Sequence, residues 1–227
     1  MEICKKYELK SLIDNTWATA IYFNPFDFGV NVVIEAITKY ISGHSDIMMG
    51  VVLANNEDLV GIERWTKNAG VYVSPDDIFM SLRGLRTLPL RLKQSSYNSL
   101  KLAKFLESLK EVKYVMHPAL TQHPDHKLWK RDFKGASGLF AIEFNDNISD
   151  EAVNKLANSL EIFGIGSSWG GYSSLVSMMN VSESRNIKTS YIPKGVYLRI
   201  YTGSENINDL LNDFKNGIKV LRKFLKL

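Results

Sequence analysis

The chain has 227 residues, 45% hydrophobic and 23% charged, the composition of a folded globular protein, which excludes collagen-like, low-complexity and disordered readings. Basic side chains number 28 against 24 acidic, and the resulting charge of +4 is too mild and too dispersed for a nucleic-acid surface. No apolar run approaches the roughly 20 residues of a membrane span, the opening MEICKKYELK has no hydrophobic signal core, and the lone Cys4 provides neither a disulfide framework nor a cysteine zinc site. A cytoplasmic protein with no membrane partner and no metal is therefore expected.

Residues 1–10 read as the tail of a helix, with Ile3, Tyr7 and Leu9 among Lys and Glu, and residues 11–15 follow as a strand. The helix has no cap in front of it. The β-branched run Val30–Ala36 reads as a buried strand, and Ile47–Ala54 as a second one after a polar loop containing Gly43. Glu57–Asn68 carries Leu59, Ile62 and Trp65 on one helical face. Ser74-Pro75-Asp76-Asp77 is a helix start, with a capping hydroxyl, proline in the first turn and acids at the positive end of the dipole. From there the apolar period runs to Leu109, which predicts one long helix linking two lobes, kinked or broken at Pro89.

Beyond the helix a compact α+β segment is predicted. Val112–Val115, Gly138–Phe144, Ile162–Gly164 and Val196–Tyr201 read as strands, and His126–Phe133 and Asp150–Leu160 as helices. A final amphipathic helix places Ile207, Leu210, Leu211, Phe214, Ile218, Leu221 and Leu225 on one face. The expected organisation is residues 1–75 as part of a large domain, 76–108 as the linking helix and 109–227 as a C-terminal α+β domain.

Two residues stand out chemically. Lys39 follows a strand too apolar for a surface edge and is preceded by the hydroxyl of Thr38. A shielded strand-end lysine loses basicity and can act as a Schiff-base amine, although most lysines are simple surface charges. Asp14 closes another apolar segment, and a buried carboxylate needs a cationic partner. A pyridinium nitrogen would serve, and a lysine with an acidic pyridinium partner suits pyridoxal phosphate (PLP). Asp-Asn at a strand end also makes ordinary turns. His123 and His126 are spaced to reach one metal, but Pro124 between them reads as a turn into a helix start.

Residues 14–18 and 36–46 together resemble the PLP-lysine region of the trans-sulfuration (Cys/Met metabolism) enzymes, and Ser81–Leu88 resembles that family's long-helix motif. Trp129–Phe140 and Ser167–Tyr172 are similar to its cystathionine β-lyase branch, Trp169 being the discriminating residue. The resemblance implies an α/β architecture, namely the C-terminal part of a fold type I (aspartate aminotransferase-like) enzyme: the end of the large-domain sheet plus a small α+β domain. It implies PLP carried on Lys39 with the ring nitrogen on Asp14 and the phosphate on the Thr38 hydroxyl. Arg199 would hold the substrate carboxylate in a two-point fork, with Ser168 and Trp169 lining the same pocket. From the residues alone, Arg199 reads as a strand arginine paired across a sheet and Trp169 as a core aromatic. The implied reaction is α,β-elimination on a small amino acid, cystathionine giving homocysteine, pyruvate and ammonia. Ala36 and Ser173 depart from the family pattern, which more often has Ser and Glu there. No segment resembles the family's N-terminal portion. The expected state is therefore a homo-oligomer or an association with a separately encoded N-terminal half, and the alternative is a truncated, inactive homologue.

Overall fold

The computed structural model describes residues 1–179 and 195–226. Two sheets organise them. The first orders β1 (Leu12–Asp14), β2 (Val32–Ala36) and β3 (Gly50–Ala54), with β1 and β2 parallel and β3 antiparallel. The second contains β4 (Val112–Met116), β5 (Leu139–Phe144), β6 (Gly164–Ile165), β7 (Leu175–Met179) and β8 (Tyr197–Tyr201) in the order β4-β5-β8-β7-β6, antiparallel except for the β6–β7 pair.

The helices begin where side chains accept from otherwise open backbone N–H groups. In α3 (Asn56–Asn68) Asn55 caps Asp58, and in α4 (Pro75–Leu85) Ser74 caps Asp76. In α7 (Asp150–Asn158) Ser149 caps Ala152, and in α8 (Ile207–Leu225) Asn206 caps Asn208. Short helices α1 (Glu2–Lys6), α2 (Thr19–Tyr22) and α6 (His126–Asp132) complete the set with α5 (Leu88–Glu107). No helix among the described residues is long and apolar enough to cross a membrane.

The main core lies between the second sheet and α5, α7 and α8. Ile142, Phe144, Leu198 and Ile200 from the strands meet Leu102, Leu106, Leu156, Phe214 and Leu221 from the helices, all out of contact with water. Burying each such side chain contributes about 1.5–3 kcal/mol. Because strand side chains alternate, Arg199 of β8 stands on the sheet face opposite this core, between Ala141 and Ser177.

The long helix is two helices. It breaks at Arg86-Thr87 rather than at Pro89, which falls in the first turn of α5, where a missing N–H costs nothing. The Ile47–Ala54 strand is shorter than expected and is not buried: Val52 and Leu53 are exposed. Helix α3 likewise buries none of its residues fully, and Trp65 stands in solvent. Strand β7 is absent from the sequence reading.

His117, in the turn after β4, is buried. Its Nδ1 accepts from the Ala119 N–H at 3.2 Å, which leaves Nε2–H to donate to Ser99 Oγ at 3.2 Å. Burial, and secondarily the nearby His123, lower its pKa from 6.5 to about 4. The folded value lies below the unfolded one, so the unfolded chain binds the proton first as pH falls. Stability is therefore expected to be full above pH 6.5 and to be lost between 6.5 and 4, by roughly 3 kcal/mol in all. Thermal unfolding against pH measures this, and His117→Asn is expected to flatten the slope in that window.

Candidate active site

The parallel strands β1 and β2 end side by side, and their following turns are tied together. Asp14 Oδ1 accepts from both the N–H and the hydroxyl of Thr16, at 2.9 and 2.5 Å, and Thr16 Oγ1 in turn accepts from the Ala36 N–H at 2.8 Å. One residue later the chain enters the helical turn Ile37–Ile41, which carries Lys39. Asp14 and Lys39 thus come to the carboxyl ends of neighbouring parallel strands, where open α/β sheets bind ligands.

Lys39 reaches across to the other half of the molecule. Its Nζ donates to Ser168 Oγ at 3.0 Å and lies 5.5 Å from the centre of the Trp169 ring. The loop bearing Ser168 and Trp169 comes this close because the next residue is Gly170. A Cβ there would lie 2.7 Å from the Lys39 backbone, and the φ of +87° suits only glycine. Tyr40, fully buried, packs on Trp169 at 5.6 Å between ring centres, and its hydroxyl accepts from the Gly138 N–H at 2.9 Å. Burial, and then the charge of Arg199, hold the Lys39 ammonium below the ordinary lysine range.

Thr38, Lys39, Ser168 and the loop Ser45–Met48 line an open cavity of about 420 Å³. Thr38 belongs to its wall, but its hydroxyl is engaged, donating to the Met49 carbonyl at 3.1 Å and accepting from the Met49 N–H at 2.9 Å. Arg199 Nη2 is buried without a hydrogen-bond partner among the described residues, and its cross-strand neighbours Ala141 and Ser177 carry no charge. Among the described residues no partner for a cross-sheet ion pair is found there, and a buried donor left open calls for an acceptor. Trp169 is half-buried and packs against the small core cluster of Tyr40, Leu88, Leu92 and Tyr201, so the core-aromatic reading describes one side of its ring. The histidine pair serves local turns: His123 Nδ1 accepts from the Asp125 N–H, and His126 Nδ1 pairs with the Pro118 carbonyl.

The sequence reading missed the Ser45–Met48 wall, the Tyr40 anchor and Gly170. The positive-φ glycines Gly43 and Gly170, each beside a site residue, were the available signal. Lys39, with its lowered pKa, stands in the cavity wall, whereas Asp14, exposed at the end of β1 rather than buried as expected, and Arg199 lie outside the cavity lining. These residue types suit an anionic, aromatic cofactor with an amino-acid substrate. Fold and site together define the C-terminal part of a PLP-dependent fold type I enzyme.

The family model described as Cys/Met metabolism PLP-dependent enzyme matches residues 1–219, and the chain belongs to that family. It is 40% identical over 219 residues to an L-alanine/L-glutamate racemase of Wolbachia pipientis, covering 96% of this chain and 54% of that one. It is 37% identical over 210 residues to the cystathionine beta-lyase of Haemophilus influenzae, covering 92% and 53%. Cystathionine gamma synthase from Xanthomonas oryzae pv. oryzae, solved in complex with cystathionine, superposes with a TM-score of 0.88 at 32% identity, covering 98% of this chain and 58% of that one. The chain thus spans about half the length of the curated relatives it matches.

Proposed function

We propose that this chain forms the lysine-bearing part of a carbon–sulfur lyase that splits cystathionine by α,β-elimination into homocysteine, pyruvate and ammonia, together with the remaining half of such an enzyme. The observation that carries the proposal is the meeting of Lys39 with Ser168 and Trp169, under the charge of Arg199, whose Nη2 has no hydrogen-bond partner among the described residues.

PLP supplies an electron sink for the carbanion at Cα. Lys39 is its attachment point and the base: the lowered pKa leaves the amine able to take the Cα proton and then to give one to the departing sulfur. Ser168 and Trp169 aim the amine. Arg199 holds the substrate α-carboxylate and so fixes which bond at Cα faces Lys39. Asp14, oriented by Thr16, would hold the ring nitrogen of the cofactor. Thr38 can donate to the phosphate only by releasing the Met49 carbonyl, while still accepting the Met49 N–H.

Two features support the need for a further half. On one face of the first sheet Leu12, Ile34 and Val52 are exposed. On the other an apolar groove of about 490 Å³ runs between Phe26, Val33, Leu53, Leu82 and Leu85. Uncovered apolar surface on both faces of one sheet invites a partner layer.

The relative named as a racemase favours a second reading, since racemisation begins with the same Cα deprotonation but returns the proton instead of expelling a β group. The test is product analysis with cystathionine and with L-alanine, for the chain alone and with the first half of the Haemophilus influenzae relative. The expected result is silence alone, and thiol and pyruvate in equal amounts from cystathionine once the half is added. Turnover by the chain alone would remove the need for a partner. D-alanine without pyruvate would establish the racemase, and no product under any condition would establish an inactive homologue.

A further inference from the structure

Arg91 sits on α5 just beyond the Ser81–Leu88 motif, at a position where an arginine would ordinarily face water. Its guanidinium instead turns inward. Nη1 donates to the Tyr40 carbonyl at 2.8 Å, and Nη2 donates to the Ile41 carbonyl at 3.1 Å and to the Gly84 carbonyl at 2.8 Å. Nε donates to Thr87 Oγ1 at 3.0 Å, and Thr87 is itself hydrogen-bonded to Gly84. No carboxylate lies within ion-pair distance of Arg91 among the described residues. A partly buried guanidinium without a counter-ion is costly, and here three backbone carbonyls and the Thr87 hydroxyl do the compensating.

The carbonyls concerned belong to the turn that carries Lys39. Within that turn Lys39 departs from helical geometry, at φ −89° and ψ −115°. The Ser42 and Gly43 N–H groups bond back to the Ile37 and Lys39 carbonyls, so the Tyr40 and Ile41 carbonyls are the open acceptors at the end of the turn. Space for the guanidinium exists because residue 43 is glycine. With φ at +71° it is where the chain turns, and a Cβ there would collide with the Arg91 guanidinium. Gly84 allows the matching approach from α4, since a Cβ there would run into the Ser42 backbone. From the opposite side Gly170 closes on Lys39 itself.

We propose that Arg91 is a positioning residue for Lys39: by clamping the Tyr40 and Ile41 carbonyls to the end of α4, it fixes the peptide that follows Lys39 and keeps the amine on Ser168 and over Trp169. Arg91 touches no atom of the cavity and acts only through the backbone. The proposal rests on the reading of Lys39 as the reacting amine, but the clamp is measurable without cofactor.

The experiment is competitive acylation of the 227-residue chain across pH, read lysine by lysine by mass spectrometry, with PLP capture by borohydride run in parallel. In the parent chain Lys39 is expected to titrate below the surface lysines. In Arg91→Met its profile is expected to merge with theirs, with PLP capture on Lys39 slowed on the order of 100-fold, the cost of a misplacement of about 1 Å. Thr87→Val, which removes the acceptor of the Arg91 Nε–H together with the Thr87 bond to the Gly84 carbonyl, is expected to fall between the two while remaining folded, and it decides the matter if Arg91→Met unfolds. In Arg91→Ala, low-millimolar guanidinium ion is expected to restore the parental profile, and ammonium ion to leave it unrestored. A Lys39 profile unchanged in Thr87→Val and in folded Arg91→Met would overturn the proposal, as would a parent Lys39 that titrates with the surface lysines. A parent that shows the low Lys39 titration but captures no PLP would refute the cofactor reading and leave the clamp standing.

Discussion

Lys39→Ala is expected to abolish lyase activity in any preparation that releases thiol from cystathionine, by on the order of 10⁴-fold, the upper end of what a positioned proton-transfer group contributes. The loss is of kcat, because the residue meets the substrate at the proton it moves and not at the groups that bind it. The neighbourhood predicts that no other lysine substitutes. Its own surroundings lower the Lys39 pKa through burial and the charge of Arg199, whereas Lys10 and Lys113 have theirs raised by carboxylate partners. Steady-state thiol release with the variant checks this, and residual activity within a few-fold of the parent would assign the proton transfer elsewhere.

Arg199→Lys is expected to raise KM for the amino-acid substrate by about 10- to 100-fold, the loss of one charge-assisted hydrogen bond of the fork. Lysine keeps the charge but presents a point donor in place of two parallel ones. PLP capture is expected to change little, since Arg199 acts on the substrate carboxylate. An unaltered KM would remove the carboxylate role. The buried Nη2 would then need another acceptor.

Much of this was legible from the sequence because period and punctuation agree with the fold in the C-terminal half. The α8 stripe buries Leu210, Phe214, Ile218 and Leu221 as its spacing predicts, and farther forward Ser74 caps α4 as its Ser-Pro-Asp-Asp run predicts. Where reading failed, the missing information was tertiary. The apolar period that runs through α4 and α5 gives no sign of a break at Arg86-Thr87, because Pro89 suits a helix start as well as a helix kink. Strand β7 is a short Leu-Val-Ser-Met-Met run of mixed strand propensity, fixed by pairing with β8 on one side and β6 on the other. The apolar run of β3 predicted burial, but an apolar run says only that a segment suits a core, not that this chain supplies the covering layer.

The site follows the same division. Lys39, Ser168 and Arg199 are far apart in sequence, and spacing alone gave no reason to unite them; the family resemblance did, and the structure brings Lys39 and Ser168 to 3.0 Å. Arg91 was beyond either route, because a helical arginine looks the same in sequence whether it faces solvent or three carbonyls. Only the paired glycines Gly43 and Gly84, which make room for close approach between the Lys39 turn and α4, hinted at that clamp.

The central claim is that this chain carries a cofactor lysine in a shaped site. Incubation with PLP, reduction with borohydride and peptide mapping test it most directly. The account predicts one dominant adduct, on Lys39, lost in Lys39→Ala. Adduct spread evenly over the surface lysines, with Lys39 no more labelled than the rest, would contradict it.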